Sequence, residues 1–331
     1  MIDINCIAVL AIAACLDYLI GDPWNWIHPV QVMGWAIAQL TQPVFRYLKA
    51  PFSQKLAGIV LGFGVVMGSG FISWSIVGAI AILPGPFPLH PILDIAVQSI
   101  LLASCFAARS LRAAAADVQE PLAGGDLPTA RSRLSQYVGR DTEQLSEPEI
   151  WRAILETITE NATDGVMAPL FYAILGLAIP GLGSVPLAIA YKAASTLDST
   201  IGYREAPYTD IGWFSAKFED FLTWLPCRLT VLTIALLSKQ PKRVLTICRR
   251  DAIHDPSPNA GWSECAYAAA LGVQLGGTNR YRGQIKQKPK LGDPIHPITS
   301  DTIDAALHMT RVCIFLWLGL AMGMGWMLRG G

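Results

Sequence analysis

The sequence predicts an all-α, polytopic helical membrane protein with about four to six membrane segments, and three observations carry that expectation. Of its 331 residues 52% are hydrophobic and only 15% are charged, with a mean hydropathy of +0.40, too apolar for an ordinary soluble protein. Apolar stretches long enough to cross a bilayer recur along the chain. Between them the polar residues fall into separate blocks, and the basic ones cluster in particular loops. The whole chain, 1–331, reads as a single integral membrane domain, with 109–165 and 239–311 as polar loop regions within it.

The segments follow in order. Residues 4–20 form the first, with Asp17 near its end. Ile12-Ala13-Ala14-Cys15 looks like a lipoprotein cleavage box, but the opening Met-Ile-Asp supplies no basic run, so a retained helix is expected. Residues 56–89 carry no charged or histidine side chain, and 92–108 and 312–328 are the next two candidate spans. The link from Pro84 to Pro91 is a rigid turn too short to host chemistry, expected on the outside. Segment 166–191 is long enough to cross once, yet Pro180-Gly-Leu-Gly183 breaks it midway, so a crossing and a re-entrant hairpin both stand open. Residues 221–238 contain Pro226 and Arg228, which leaves an interfacial or protein-buried helix beside a crossing. Polar residues 117–149, with Gly124-Gly125 among them, read as a solvated helical hairpin.

Basic residues orient the chain. Lys239, Lys242, Arg243, Arg249 and Arg250 occur in 239–250 without an acid, and Arg46, Lys49 and Lys55 lie in the first loop; both loops are expected in the cytoplasm. If 166–191 and 221–238 each return to the side they left, then 21–55, 109–165, 192–220 and 239–311 all face the cytoplasm, and every polar motif shares one side. The 25 basic and 25 acidic residues balance, so nucleic acid is not an expected partner. Seven cysteines are scattered singly, without a C-x-x-C pair, and read as small buried hydrophobes rather than a zinc site or a disulfide framework.

Four polar blocks carry the chemistry. The first is Asp17 through Gly21-Asp22-Pro23 to His28-Pro29. The second runs from Glu156 through Glu160-Asn161 to Asp164-Gly165. Its three acids, spaced i, i+4 and i+8, would form one carboxylate face if helical, at the mouth of 26 uncharged residues. Isolated carboxylates there are costly to desolvate, which points to a cation or substrate site, with a solvated helix start as the bland alternative. The third block holds Lys192, Asp198 and Arg204, followed by Lys217 and Asp220. The fourth holds Asn259 and Glu264 around Gly261-Trp262, then Gly276-Gly277-Thr278-Asn279, whose amides could face an anion. Carboxylates, cations and glycine turns suit a multi-anion substrate with magnesium better than an ion pore. No G-x-x-x-x-G-K-[ST] run exists, so a P-loop is not available.

These blocks, in this order, resemble the adenosylcobinamide-phosphate synthases of cobalamin biosynthesis, over nearly the whole chain from Leu16-Asp17 to Leu291-Gly292-Asp293. The resemblance implies a multi-pass enzyme of the cytoplasmic (inner) membrane. It would ligate adenosylcobyric acid, a corrinoid, to aminopropanol phosphate or ethanolamine phosphate, using ATP and Mg2+. It further implies catalytic roles for Glu156, Glu160, Asp164 and Asp198, with Glu160 and Asp164 as magnesium ligands. Substrate or phosphate contacts would come from Asp22, His28, Asn161, Lys192, Arg204, Lys217, Asp220, Asn259 and Asn279. Besides membrane lipid, the enzymes of later nucleotide-loop assembly are expected neighbours. The chain departs from the family pattern at Ser195-Thr-Leu-Asp-Ser-Thr200, at Ala216-Lys217-Phe-Glu219-Asp220 and at Thr223, which puts substrate geometry in question. A non-catalytic membrane sensor or transport component sharing the fold is the competing expectation.

Overall fold

The fold is known from a computed structural model, and the structure describes residues 4–21, 28–82 and 89–327. Asp22 and most of the Pro84–Pro91 link lie outside the described residues. The chain order is α1 (Ile4–Leu19), α2 (Pro29–Tyr47), α3 (Pro51–Ile82), α4 (Leu89–Ala103), α5 (Ala108–Ala123), α6 (Leu127–Leu134) and α7 (Glu147–Ala162). A π-helical turn, Thr163–Met167, leads into α8 (Ala168–Ala178), α9 (Ser184–Ile201), α10 (Trp213–Leu237), α11 (Pro241–Asp251) and α12 (Ala260–Leu271). A hairpin of β1 (Leu275–Tyr281) and β2 (Gln284–Leu291) precedes α13 (Ser300–Met327). The chain is a helical membrane protein, as expected, with one small antiparallel sheet that the all-α reading did not contain.

Among the described residues three helices are long and apolar enough to cross a membrane: α3, α10 and α13. Helix α10 includes 221–237, where Pro226 is accommodated without ending the helix. Helix α3 exposes Phe52, Val60, Met67, Phe71 and Ile72, a surface that lipid solvates at no cost and water would not. Helices α1 and α4, of 16 and 15 residues, are each short for a crossing taken singly, and α4 together with α5 is long and apolar enough for one broken span. They pack on each other, with Ser99 Oγ reaching Val9 O. Asp94, which interrupts the apolar run of α4, is hydrogen-bonded by Gln98.

The chain divides into two compact units. The first comprises 1–107, 168–222 and 316–331. Within it segment 166–191 is resolved: α8 and α9 double back on each other about the Pro180–Gly183 turn, so this segment is a helical hairpin and not one crossing. Gly176 permits the turn, since a Cβ there would stand 2.2 Å from Gly183 O. Helix α3 lies along α9, and Gly58 and Gly62 leave room where a Cβ would meet Ile211 O at 2.1 Å and the Phe214 ring at 2.6 Å.

The second unit comprises 108–167 and 223–315. Both polar stretches, 109–165 and 239–311, belong to it and are largely folded into elements. Helices α5 and α6 pair as a hairpin about Gly124-Gly125, as the sequence suggested, and Asp126 caps α6 through Thr129 N. Helix α7 starts at Ser146, whose N–H and hydroxyl both donate to the Glu149 carboxylate, at 2.7 and 2.6 Å. Its Ile150, Ile154 and Ile158 side chains are buried. The β-hairpin turns at Arg282-Gly283, both at positive φ, and Asp141 accepts from both turn amides, at 2.8 and 2.7 Å.

Candidate functional site

The opposite face of α7 carries Arg152, Glu156 and Glu160, at i, i+4 and i+8. Glu156 is 2% exposed, and its charge is matched. Arg140 Nη2 donates to its Oε2, Gly276 N donates to its Oε1 at 2.8 Å, and Arg152 Nη1 lies 3.7 Å away. The two guanidiniums also donate to the Asn279 side-chain oxygen, at 3.0 and 3.2 Å, and Arg152 ties down the carbonyls of Gly276 and Thr278. One network therefore fastens α7 to β1. Gly276 makes it possible: its φ of +80° lets the amide turn toward Glu156 out of the strand register, and a Cβ would stand 1.9 Å from Pro289 O.

A second group lies on the same unit. Ser263 Oγ is 2.6 Å from Thr159 O and 2.7 Å from Thr163 Oγ1, pinning α12 to α7 one residue away from both Glu264 and Glu160. Glu264 is wholly buried, and the Lys288 ammonium on β2 stands 3.8 Å from its Oε1. Desolvation pushes the Glu160 and Glu264 carboxyls above the usual carboxylate range; Lys288 opposes it, and the neighbouring acids, Asp255 and Glu156 among them, reinforce it. Desolvation would lower the Lys288 pKa, but Glu264, Glu160, Glu156 and Asp255 together hold it above its usual value. A desolvated cluster of mixed charge with an excess of acids is suited to holding a cationic or metal-bearing ligand.

The structure places the sequence-expected residues unequally. In the second unit Glu156 and Asn279 belong to the arginine network, and Glu160 to the group around Lys288. The single α-helical face expected over 156–164 is corrected: α7 ends at Ala162, and Asp164 sits in the π-helical turn, whose wider winding changes its phase. Asn161 is exposed, its amide donating back to Thr157 O at 2.8 Å. Asn259 is buried at the start of α12, where the Ser257 hydroxyl accepts from the amides of Asn259 and Ala260.

In the first unit Lys217 pairs with Asp220 at 3.7 Å, and Arg204 is exposed within electrostatic reach of Asp220. Lys192 and Asp198 share α9, where Asp198 packs against Gly202. His28 caps α2, accepting from Val30 N at 3.2 Å. Sequence reasoning missed Arg140, Arg152, Asp255 and Lys288. Only Arg152 left a local signal, its spacing of four from Glu156.

The fold and this cluster define a helical membrane protein with a buried, charge-rich site in its polar unit. Residues 10–310 match the family described as CobD/Cbib protein. The chain is 52% identical over 311 residues to the cobalamin biosynthesis protein CobD of Synechocystis sp., covering 94% of this chain and 89% of the relative. It is 38% identical over 313 residues to the cobalamin biosynthesis protein CbiB of Salmonella typhi, covering 93% and 94%. No solved structure matches. The chain belongs to the CobD/CbiB family.

Proposed function

We propose that this protein acts in cobalamin biosynthesis as an adenosylcobinamide-phosphate synthase. It would ligate adenosylcobyric acid to (R)-1-amino-2-propanol O-phosphate or ethanolamine phosphate at the expense of ATP. Family membership supports the pathway, and the acid-rich cluster of the buried Glu156 and Glu264 with the half-buried Glu160 is the observation that favours an enzyme. Joining a carboxyl carbon to an amine nitrogen requires an oxygen leaving group, which a phosphoryl group on the substrate carboxylate provides, and a group that takes the amine proton.

The roles follow from residue chemistry. Glu160 and Asp164 would hold Mg2+ through hard oxygen donors, and the ion would supply charge neutralisation at the phosphates. Among the described residues no three Asp, Glu, His or Cys side chains form a metal-binding group, which fits an ion whose other ligands are phosphate and water. Glu156 positions β1 through Gly276, and Asn161, Asn259 and Asn279 offer amides to the corrinoid's own amides. In the first unit Asp198 is a further candidate carboxylate, and Lys192, Arg204 and Lys217, with Asp220, are candidate phosphate contacts. Asp22 and His28 are assigned to substrate by the family resemblance only. The polar loops would face the cytoplasm of an inner-membrane protein, beside enzymes of later nucleotide-loop assembly.

The test is ATP- and Mg2+-dependent conversion of adenosylcobyric acid by the purified, detergent-solubilised chain with each amine, read by mass spectrometry of the corrinoid. A mass gain matching one amine is expected. Glu160→Ala and Asp164→Ala are expected to lose amide formation while still inserting in membranes; full activity in both would remove these residues from the site.

A further inference from the structure

Glu264 is the least explained charged residue in the polar unit. It has no exposed surface, and neither carboxylate oxygen has a hydrogen-bond partner among the described residues. Lys288 Nζ, at 3.8 Å, is too far to donate. Asp255 repeats the pattern: its Oδ1 accepts from Ser257 N at 2.8 Å, while its buried Oδ2 has no hydrogen-bond partner. Gly261 brings the first turn of α12 against Asp255, where a Cβ would stand 2.4 Å from Asp255 Cβ. Asp255, Glu264 and Glu160 all act electrostatically on Lys288.

Buried carboxylate oxygens without donors are expensive unless a ligand supplies them. Arg140 and Arg152 both pair with Glu156, and among the described residues the cation beside Glu264 is Lys288, 3.8 Å from its Oε1. The donor shortage is specific: Glu264 Oε1, Glu264 Oε2 and Asp255 Oδ2 are three acceptors, and a primary ammonium has three N–H donors. Lys288 itself shows that Glu264 faces a primary alkylammonium in the folded protein. A divalent ion at the same oxygens would meet the Lys288 charge at close range, whereas a monovalent ammonium shares the acids at lower repulsion.

We propose that Glu264 and Asp255 form a subsite for a primary alkylammonium group, with Lys288 as the resident counter-ion beside it. Under the function proposed above, on which this assignment of the ligand rests, the group is the nitrogen end of the amine co-substrate. Glu264 thereby sets which end of the amine enters.

The experiment compares wild type, Glu264→Gln, Glu264→Asp and Asp255→Asn in the full detergent-solubilised chain. A lost charge-assisted bond predicts an amine KM raised about tenfold or more in Glu264→Gln, with the KM values for corrinoid and ATP held within about twofold. Glu264→Asp recovers part of the loss, and the Mg2+ requirement does not move. Ethylamine, as probe, competes with the amine in wild type and not in Glu264→Gln. An unchanged amine KM, or a shift in the Mg2+ requirement instead, overturns the assignment. Should Glu264→Gln not fold, the same KM split in Asp255→Asn and ethylamine competition in wild type decide it. If wild type makes no amide, the proposed function fails, and calorimetric binding of ethylamine to wild type but not to Asp255→Asn still tests the pocket by itself.

Discussion

Glu156 and Arg140 are each nearly excluded from solvent, with side chains 2% and 6% exposed, yet their neighbourhoods are unequal, and this makes a sharp prediction. Truncating Glu156 to Ala leaves Arg140 buried with the neutral Asn279 oxygen as its hydrogen-bond partner, and leaves Gly276 N without its acceptor. Stranding a buried charge costs about 3–5 kcal/mol, and the lost amide bond to a charged group adds about 1–2 kcal/mol. Arg140→Met is milder. Glu156 then retains Gly276 N and can draw on Arg152, at 3.7 Å, so about 2–3 kcal/mol is expected.

The double variant should cost less than the sum of the two by about 2 kcal/mol, because the stranded partner is then gone. For a unit of this size about 1 kcal/mol moves the melting point by roughly 2–4 °C, so Glu156→Ala should lower Tm by roughly 8–28 °C. The assay is thermal unfolding of the detergent-solubilised chain for the four proteins, with no substrate present. If Arg140→Met costs as much as Glu156→Ala, the unequal-neighbour argument is wrong. Additive costs in the double variant would mean the two groups do not interact.

Three further outcomes follow from the same geometry. Gly276→Ala should destabilise by about 3 kcal/mol or more, because a Cβ at φ +80° is strained and would stand 1.9 Å from Pro289 O; thermal unfolding measures it, and a neutral result would mean β1 approaches β2 less closely. In α3, Gly58→Ala should lower the yield of folded protein, since its Cβ would meet Ile211 O at 2.1 Å, whereas Gly64→Ala, with nothing within 4 Å, should be neutral or gain up to about 1 kcal/mol; equal behaviour of the pair would refute the close-approach role. The Ser146 hydroxyl, and then its backbone N–H, hold the Glu149 carboxyl below its usual pKa. A depressed folded-state pKa contributes stability that is present above the unfolded value and lost as pH falls through the folded one. The Tm difference between wild type and Glu149→Gln should therefore be full above the ordinary carboxylate range and fade as pH falls below it; a difference independent of pH would show that the cap acts without its charge.

What could be read from the sequence was what local chemistry decides. Gly124-Gly125 between helical patterns gave a helical hairpin, and Pro180-Gly-Leu-Gly183 in an apolar run marked where a second could form, beside a single crossing, because glycine and proline act on the backbone where they stand. The β-hairpin left no such trace. Strand β2, Gln-Ile-Lys-Gln-Lys-Pro-Lys-Leu, is largely exposed and lacks the two-residue alternation of a half-buried strand. It is held by its ladder and by two contacts made across more than a hundred residues, Asp141 at the turn and Arg152 on the carbonyls of β1.

The same distinction explains the site. The acids of α7 stood out because three of them share a helical spacing, but their partners are remote in sequence: Arg140 comes from the loop before the helix, Gly276 and Asn279 from β1, Lys288 from β2 and Glu264 from α12. A helix face can announce that it needs counter-charges, and it cannot say where they will come from. Two solutions to burial also separate along the chain. In the apolar unit, glycines at 58, 62 and 176 allow backbone to approach backbone or ring, the means of packing left when lipid removes the hydrophobic gain. In the polar unit, buried charges fix the hairpin to α7, and they fix it in one register, because a shift of one residue would take Gly276 N from Glu156 and the Asn279 oxygen from both arginines. Glu264 stands apart from that logic. It is as buried as Glu156 but receives no donor among the described residues, and that asymmetry is what the proposed ammonium subsite rests on.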